Sequence, residues 1–361
     1  MAVTTAKPSP ARLRRSDVTV PGLRRRRRGR GFSYLDPEGE PVRDEEVLAR
    51  IVELAIPPAW RDVWICPYPG GHIQATGVDS AGRKQYLYHP RWRARRDQEK
   101  FDSMLEFARS LPRMRERVDR DLGASDDLGR ERVLACAVRL LDRGFFRIGS
   151  EDYAVTNETY GLATMRKEHA SLDGATVRFD YPAKSGRRRV QSVVDPEVAA
   201  VVRRLLRRRG GGDELLAYRR GGRWEDVRST DVNAYVKQAT GAEFSAKDFR
   251  TWGATVLAAV ALAVTVPAET KVARRRAVKR AVDEVAHYLG NTPAVARASY
   301  IDPRVIDRFQ DGLSIAGVLQ DLGADPDDTA IQGPVEEAVL ALIAEHESEA
   351  VVSVDEALAA A

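Results

Sequence analysis

The residues best suited to chemistry are three cationic side chains, an amide and a tyrosine, in the order Arg147, Lys184, Arg250, Asn291 and Tyr300. A guanidinium binds phosphate through two parallel hydrogen bonds, so arginines gathered in one site would suit chemistry on a phosphate group. Taken singly, each residue also has an ordinary explanation. An arginine on a helix commonly pairs with a carboxylate, and a tyrosine near a helix end commonly belongs to the core.

Other catalytic signatures are missing from the sequence. It contains no GxGxxG, GxxxxGK[ST], HExxH or GxSxG motif. Cys66 and Cys136 lack the spacing of a zinc site, and we expect both to be reduced thiols. We therefore predict neither a metal nor a nucleotide cofactor. The histidines are scattered, and we expect structural roles for His72, His89, His169, His287 and His346.

The net charge of +5 conceals a strong asymmetry along the chain. From Val305 to the end there are thirteen acidic residues and one basic residue, whereas the preceding 304 residues carry 57 basic and 40 acidic groups. An arginine-rich body is typical of nucleic-acid-binding proteins, although any single run could be a solvated face. The acidic end could be a solubilising face, a brake on non-specific DNA binding or a partner surface. Arginine runs occur at 24–28, 187–189, 207–209 and 274–276.

Membrane insertion and secretion are not expected. The longest apolar stretch, Gly253 to Ala268, is shorter than the roughly 20 residues that a membrane-spanning helix needs. The basic N-terminus is not followed by the apolar region of a signal peptide. We expect a cytoplasmic, nucleoid-associated protein.

The elements that would position these residues fall into four segments. Residues 1–30 are rich in Pro, Arg and Ser and predict a disordered basic arm. Residues 31–97 predict a small β-rich domain, with strands near Phe32, Val63 and His72 and a helix from Glu45 to Leu54. Residues 98–312 predict a mainly helical domain, and residues 313–361 an acidic tail with one helix.

A β-hairpin between Thr176 and Val194 interrupts the helical pattern, with Lys184 at its tip. Periodicity and breakers place helices at 99–111, 131–143, 196–208, 229–240, 245–263, 268–289, 293–300 and, in the tail, 334–346.

The order of these motifs resembles that of the type IB DNA topoisomerases, in particular the poxvirus-like branch found in bacteria. The resemblance extends from about Gly31 to Phe309. It implies an α+β fold, in which a small β-rich N-terminal domain and a larger, mainly helical catalytic domain form a clamp around duplex DNA. The matching segments are Arg147-Ile-Gly, the hairpin lysine, Lys247-Asp-Phe-Arg-Thr, Leu289-Gly-Asn-Thr-Pro, Ser299-Tyr300 and, in the N-terminal domain, Gly82-Arg-Lys-Gln-Tyr-Leu-Tyr-His-Pro.

The resemblance also implies a reaction. Tyr300 would attack a DNA phosphodiester and form a 3′-phosphotyrosyl bond, without ATP or a metal. Arg147 and Arg250 would stabilise charge on the non-bridging oxygens, and Lys184 would protonate the leaving 5′-oxygen. Lys247 would have an auxiliary role. Asn291 stands where many family members have histidine, and its amide can still donate a neutral hydrogen bond.

The N-terminal domain is expected to contact double-stranded DNA, the partner that the resemblance implies for a monomeric enzyme. Glutamine can bind an adenine edge in the major groove, aromatic rings can contact thymine methyl groups, and cations can bind phosphates. The alternative for the tyrosines is a place in the core. The residues that we expect to contact DNA are Arg83, Lys84, Gln85, Tyr86 and Tyr88.

Two other functions compete with this one. A tyrosine site-specific recombinase would use the same chemistry, but it would exchange strands as a tetramer and lacks this β-rich N-terminal domain. A non-catalytic, basic DNA-binding protein would account for the charge but not for the ordered set of catalytic residue types.

Overall fold

The computed structural model describes residues 12–124, 127–265, 270–321, 332–345, 348 and 350–354. The chain has an α+β fold with two compact units, Met1–Lys100 and Phe101–Ala361. The first unit is built on one antiparallel sheet. The second is mainly helical and carries smaller sheets.

The first unit contains a five-stranded sheet in the order β2-β1-β3-β4-β5. Its core lies on one face, where buried side chains from alternate strand positions meet Ile51 of helix α1. Asp44 caps this helix by accepting from the amides of Glu46 and Val47, at 2.9 and 3.2 Å. The strands are β1 Leu23–Arg28, β2 Gly31–Leu35, β3 Arg61–Ile65, β4 Ile73–Val78 and β5 Lys84–Tyr88, and α1 is Glu45–Glu53.

The prediction of a disordered arm over residues 1–30 is wrong for its described part. Strand β1 lies inside the sheet, between β2 and β3, although five of its six residues are arginines. Leu23 enters the core, and the Arg25 guanidinium donates to the carbonyls of Ile56, Pro57 and Trp60 at 2.6–3.1 Å. Ser16 hydrogen-bonds the carbonyl of Ile73 at 3.0 Å, which ties the preceding segment down as well. Residues 1–11 lie outside the described residues.

Helix α2 runs from Pro90 to Gly123, whereas the sequence predicted a helix only from Glu99 to Leu111. Pro112 removes one backbone hydrogen bond and ordinarily kinks or ends a helix. Here the buried stripe continues past it, through Leu111, Met114 and Val118. Packing of these buried side chains outweighs the loss of the backbone hydrogen bond at Pro112.

The second unit surrounds helix α7, which is buried on nearly every side and accounts for much of the apolar stretch 253–268. Among the described residues, no helix is long and apolar enough to cross a bilayer. The remaining helices are α3 Arg130–Gly144, α4 Glu151–Asn157, α5 Pro196–Arg207, α6 Ser229–Thr240, α7 Ala246–Ala263, α8 Lys271–Leu289, α9 Pro293–Ser299, α10 Pro303–Gln310, α11 Ala316–Asp321 and α12 Pro334–Ala344. The strands are β6 Ala170–Asp173, β7 Thr176–Ala183, β8 Arg187–Val194, β9 Ala217–Arg220, β10 Arg223–Asp226, β11 Leu313–Ser314 and β12 Val352–Ser353.

The predicted hairpin is formed by β7 and β8, which pair Thr176 with Val194 at one end and Ala183 with Arg187 at the other. Strand β6 completes a three-stranded sheet. Lys184 begins the turn between the strands, and Gly186 adopts the left-handed φ of 69° that the turn requires. The predicted start of the 268–289 helix and the end of the 334–346 helix at His346 fall outside the described residues.

The C-terminal segment is not a separate acidic tail where the structure describes it. Ile315 and Val318, then Val335, Val339 and Leu342, are buried in the core of the second unit. Helix α12 packs against α7 and α10. The reason is its apolar face, which the net charge of the segment conceals.

One acidic residue of α12 also forms an internal ion pair. Arg115 of α2 donates to Glu336 at 2.5 and 3.0 Å and to Asp142 of α3 at 2.9 and 3.0 Å. The Trp252 indole of α7 donates to Glu336 at 2.7 Å. Burial opposes the charge of Arg115, but the two carboxylates outweigh it and raise the pKa of the guanidinium. Glu336 therefore connects α12 to α2 and α7.

We predict that Glu336→Ala lowers the free energy of unfolding by about 2–3 kcal/mol, because it leaves a largely buried cation with one carboxylate and an indole N–H without its acceptor. Glu337→Ala is the matched control, since Glu337 is exposed on the same helix. Urea denaturation of the full chain measures both. Equal stability of the two variants would contradict the structural role of Glu336.

Candidate active site

Arg147 lies in the segment that follows α3, and a close backbone approach fixes this segment. Leu162 N–H donates to the Arg147 carbonyl and Ala163 N–H to that of Ile148, both at 2.8 Å. A Cβ at Gly161 would lie 2.4 Å from the backbone of Gly149, so only glycine permits this contact.

Helix α7 supplies Arg250, which is 4% exposed. Ser245 and Asp248 cap the start of the helix, where the Ser245 amide donates to the Asp248 carboxylate at 2.8 Å. Arg250 has no carboxylate partner among the described residues. It donates instead to the carbonyl of Phe145 at 2.6 Å and to that of Leu289 at 3.0 Å.

The carboxyl end of α8 brings the two arginines together. Leu289 accepts from Arg250 and, at 3.4 Å, from Arg147, which also donates to the Gly290 carbonyl at 3.2 Å. Gly290 ends the helix with a left-handed φ of 62°. The backbone N–H of Asn291 closes the turn by donating to the Ala286 carbonyl at 2.9 Å. Unpaired carbonyls and the negative end of the helix dipole favour cations here.

Asn291 faces into the same cluster. Its Oδ1 accepts a 2.5 Å hydrogen bond from Arg147. Its Nδ2 is buried without a hydrogen bond of good geometry among the described residues, and it lies near enough to the Tyr300 hydroxyl to help lower the pKa of that phenol. A buried N–H without an acceptor is costly, so this donor is suited to an oxygen that a ligand brings.

Tyr300 follows α9, and its backbone is held by α7. Thr255 is fully buried and donates from its hydroxyl to the Tyr300 carbonyl at 3.2 Å. The same hydroxyl accepts from the amide of Asp302 at 3.1 Å. Arg250 and Thr255 lie on one helix, so α7 positions both the guanidinium and the tyrosine.

The electrostatics of Tyr300 and Arg250 are linked. The Arg250 guanidinium lies 5.3 Å from the centre of the Tyr300 ring. Burial raises the pKa of the Tyr300 phenol, but the charges of Arg250 and Arg147 outweigh it, so that the pKa is lower than usual. Burial and the neighbouring Arg147 lower the pKa of Arg250 to about 10, which still leaves it charged at neutral pH.

Tyr181 shows that nearby arginines alone do not lower a tyrosine pKa. It lies on β7, is 2% exposed and feels Arg189, Arg250 and Arg147. Burial nevertheless dominates and raises its pKa. Tyr300 is only half-buried, and the charges of Arg250 and Arg147 outweigh its burial, which makes it the tyrosine of this cluster with the more acidic phenol.

The structure does not bring every expected catalytic residue into the cluster. Lys184 is exposed on the hairpin turn, and Lys247 is exposed in the first turn of α7. Neither side chain forms an ion pair or hydrogen bond with a residue in the described ranges. Arg147, Arg250, Asn291 and Tyr300 therefore form the assembled part of the site.

Sequence reasoning missed Arg189 as a member of this site. It donates to the Tyr288 carbonyl at 2.5 Å, and a Cβ at Gly290 would lie 3.0 Å from its guanidinium. Its strand, β8, is also held by Gln191, whose amide donates to the Gly144 carbonyl at 2.8 Å. Arg189 thus anchors the Lys184 hairpin to the end of α8. The signal was strand alternation within the run 187–189, where Arg188 turns the other way and pairs with Asp180.

The expected DNA-contacting residues divide between the two faces of β5. Tyr86 and Tyr88 are each 40% exposed, their rings are parallel with centres 6.2 Å apart, and the Lys84 ammonium lies 5.8 Å from the Tyr86 ring. Gln85 points to the opposite face and donates to Asp79 at 2.9 Å, as does the Arg83 guanidinium. Lys84, Tyr86 and Tyr88 thus form one exposed face without Gln85.

No group of three or more His, Cys, Asp or Glu side chains in the described ranges is arranged to hold a metal ion. The cluster is instead rich in donors. Two guanidiniums and one amide surround a tyrosine hydroxyl, an arrangement that can bind a tetrahedral oxyanion next to a nucleophile.

Comparison with known proteins identifies the family. Residues 89–316, more than half of the chain, match the family described as eukaryotic DNA topoisomerase I, catalytic core. The chain belongs to the type IB DNA topoisomerases. Residues 31–79 match the bacterial DNA topoisomerase IB N-terminal domain. The chain is also 29% identical over 295 residues to DNA topoisomerase 1B of Acanthamoeba polyphaga mimivirus, across 80% of this chain and 88% of the viral protein.

This topoisomerase is therefore an enzyme that acts on DNA, and the resemblance read from the sequence is confirmed. The match to the catalytic core includes all five residues of the ordered set, from Arg147 to Tyr300.

We predict that Tyr300 of the free topoisomerase titrates below the ordinary range of a tyrosine, because two guanidiniums stabilise its phenolate. The difference in ultraviolet absorbance between the parent and Tyr300→Phe, followed as pH rises, isolates its titration. Arg250→Ala should move that titration to higher pH, since it removes the nearest cation. An unchanged midpoint in Arg250→Ala would contradict this electrostatic account.

Proposed function

We propose that the topoisomerase relaxes supercoiled DNA by breaking and rejoining one strand through Tyr300. The Tyr300 oxygen attacks phosphorus, a 3′-phosphotyrosyl bond forms, and the bond from phosphorus to the 5′-oxygen breaks. The released 5′-hydroxyl later attacks the same phosphorus and restores the strand and the phenol. The observation that carries this proposal is the half-buried Tyr300, whose pKa Arg250 and Arg147 hold below its usual value.

Arg147 and Arg250 are proposed to bind the non-bridging oxygens. Their carbonyl partners fix the position of each guanidinium before the substrate arrives, so little reorganisation is needed during the reaction. Negative charge on these oxygens increases in the pentacoordinate transition state. Fixed cations therefore stabilise that state more than the bound substrate.

Asn291 is proposed to supply a third donor. Its Nδ2 lies beside the Tyr300 hydroxyl without a hydrogen bond of good geometry among the described residues, while its Oδ1 is held by Arg147. This orientation leaves the N–H for an oxygen of the phosphate. The amide carries no charge, so the charge balance rests on the two arginines.

Lys184 is proposed as the general acid for the 5′-oxygen, and Lys247 as an auxiliary cation. Both side chains are exposed and extend from elements that join the site: the hairpin anchored by Arg189 and the first turn of α7. A positioned ammonium can donate its proton to the leaving oxygen as the bond to phosphorus breaks.

The reaction as proposed needs neither ATP nor a metal. The phosphotyrosyl bond replaces the phosphodiester with a similar ester, so energy for rejoining is conserved. The two guanidiniums supply the positive charge that a metal gives in other phosphoryl-transfer sites. One copy of the chain contains every residue of the proposed mechanism, which supports action as a monomer. The match of residues 31–79 to the bacterial topoisomerase IB N-terminal domain favours a topoisomerase over a recombinase.

Tyr300→Phe is expected to bind duplex DNA but to form no covalent adduct when the reaction is stopped with detergent, because it lacks the attacking oxygen. Tyr288→Phe is the matched control, since Tyr288 is a more exposed tyrosine twelve residues earlier in the chain. It should form the adduct as the parent does. An adduct that persists in Tyr300→Phe would refute the proposed nucleophile.

Lys184→Ala should slow single-turnover cleavage by ~10²- to 10⁴-fold, the usual contribution of a general acid. A substrate with sulfur in place of the bridging 5′-oxygen should restore most of the rate, because a thiol with a pKa of about 8.5 leaves without a proton.

Arg187→Ala is the control for this test, since Arg187 is an exposed cation on the same hairpin. It should cleave both substrates at nearly the parental rate. Failure of the sulfur substrate to rescue Lys184→Ala would mean that Lys184 only contacts DNA.

A further inference from the structure

The sheet of the first unit carries a row of arginines on β1, three strands away from the exposed Lys84, Tyr86 and Tyr88 of β5. Arg24 on β1 pairs with Trp64 on β3, Trp64 pairs with Thr76 on β4, and Thr76 pairs with Tyr86 on β5. Directly paired residues on neighbouring strands point to the same face of a sheet. Arg24 and Tyr86 therefore lie on one face, opposite the face that packs on α1.

Strand alternation adds Arg26 and Arg28 to Arg24 on this face, and we call the three the β1 arginine row. All three are exposed. None of their side chains forms an ion pair or hydrogen bond with a residue in the part of the chain that the structure describes. Arg25 differs, because it turns to the core face and donates to three carbonyls at 2.6–3.1 Å.

The position of the row argues against a purely protective role. Charged side chains often occur on edge strands, where they prevent pairing with another chain. Strand β1 is an interior strand, with β2 on one side and β3 on the other. Its arginines do not protect an edge, and three exposed cations on one strand repel one another in the absence of an anion.

The distance across the face suits a duplex. Strands β1 and β5 are three strand spacings apart, about 14 Å. The major groove of B-DNA is about 12 Å wide, with a row of phosphates along each side. If Tyr86 and Tyr88 at the β5 edge enter the groove, the β1 arginine row lies level with one of its phosphate rows.

We propose that the β1 arginine row binds the phosphates of the DNA strand that borders the groove occupied by β5. The proposal rests on the proposed function, in which the first unit contacts duplex DNA, and specifies which surface does so. In this arrangement β5 contacts base edges and β1 contacts the backbone, so the sheet extends across one side of the groove.

The test measures the salt dependence of duplex binding. Full-length Tyr300→Phe protein, which cannot cleave in the proposed mechanism, is titrated with a labelled duplex between about 50 and 200 mM salt. Each lost phosphate contact reduces the slope of log K against log salt by about 0.9. Adding Arg24→Ala and Arg26→Ala together should reduce it by about 1.8, and Arg24→Lys with Arg26→Lys should keep it.

Arg43→Ala is the matched control, because Arg43 is an exposed arginine in the loop before α1, the helix that covers the other face. It should leave the slope unchanged. An unchanged slope in the double alanine variant, or an equal fall in Arg43→Ala, would overturn the proposal. If the wild-type protein forms the DNA adduct but the double alanine variant keeps the parental slope, the proposal for the β1 arginine row is refuted and the proposed function is not. If the Tyr300→Phe parent binds no duplex, both proposals are refuted.

Discussion

The cluster of arginines around Tyr300 depends on one carbonyl oxygen, that of Leu289 at the end of α8, which accepts from both Arg147 and Arg250. Two like charges this close repel each other and need a fixed negative group between them. The carboxyl end of a helix provides it, because its last carbonyls lack intrahelical partners and the helix dipole is negative there. The left-handed turn at Gly290 keeps these carbonyls accessible to the arginines.

The same arrangement leaves the site short of negative charge. Arg250 is buried without a carboxylate partner among the described residues, so carbonyl dipoles alone compensate its charge. The effect is seen in two pKa values. The pKa of Arg250 falls because burial and the charge of Arg147 oppose its cation, and the pKa of Tyr300 falls because Arg250 and Arg147 stabilise its anion more than burial opposes it. A phosphate or a phenolate meets the same need, so in the proposed mechanism the arginines that bind substrate also activate Tyr300.

The sequence was informative where local chemistry determines the outcome. The hairpin bounds and the end of helix α8 at Leu289 could be predicted because each depends on a few neighbouring residues. The set Arg147, Arg250, Asn291 and Tyr300 came instead from the resemblance to the family, and the structure brings these four side chains together. Strand β1 could not, since five arginines in a row resemble a disordered arm until the sheet supplies carbonyls for Arg25 and a core for Leu23. Helix α2 was cut short at Pro112 because the packing that compensates the proline comes from distant residues. Arg189 was missed because only the hairpin register separates it from Arg188.

Arginine content alone overstates the surface available to DNA, because this chain uses many of its arginines as internal cross-links. Arg50 donates to the Cys66 carbonyl at 2.7 Å, Arg208 to that of Leu215 at 2.8 Å, and Arg274 to that of Gln310 at 2.9 Å. A guanidinium suits this role, since its fork reaches several carbonyls while the stem packs against apolar groups. In the same way, Glu336 adds little to the negative charge of the surface, because it forms an internal ion pair with Arg115. The charge available to DNA is therefore set by the arginines whose side chains have no protein acceptor in the described ranges, and in β1 three of these arginines share one face of the sheet.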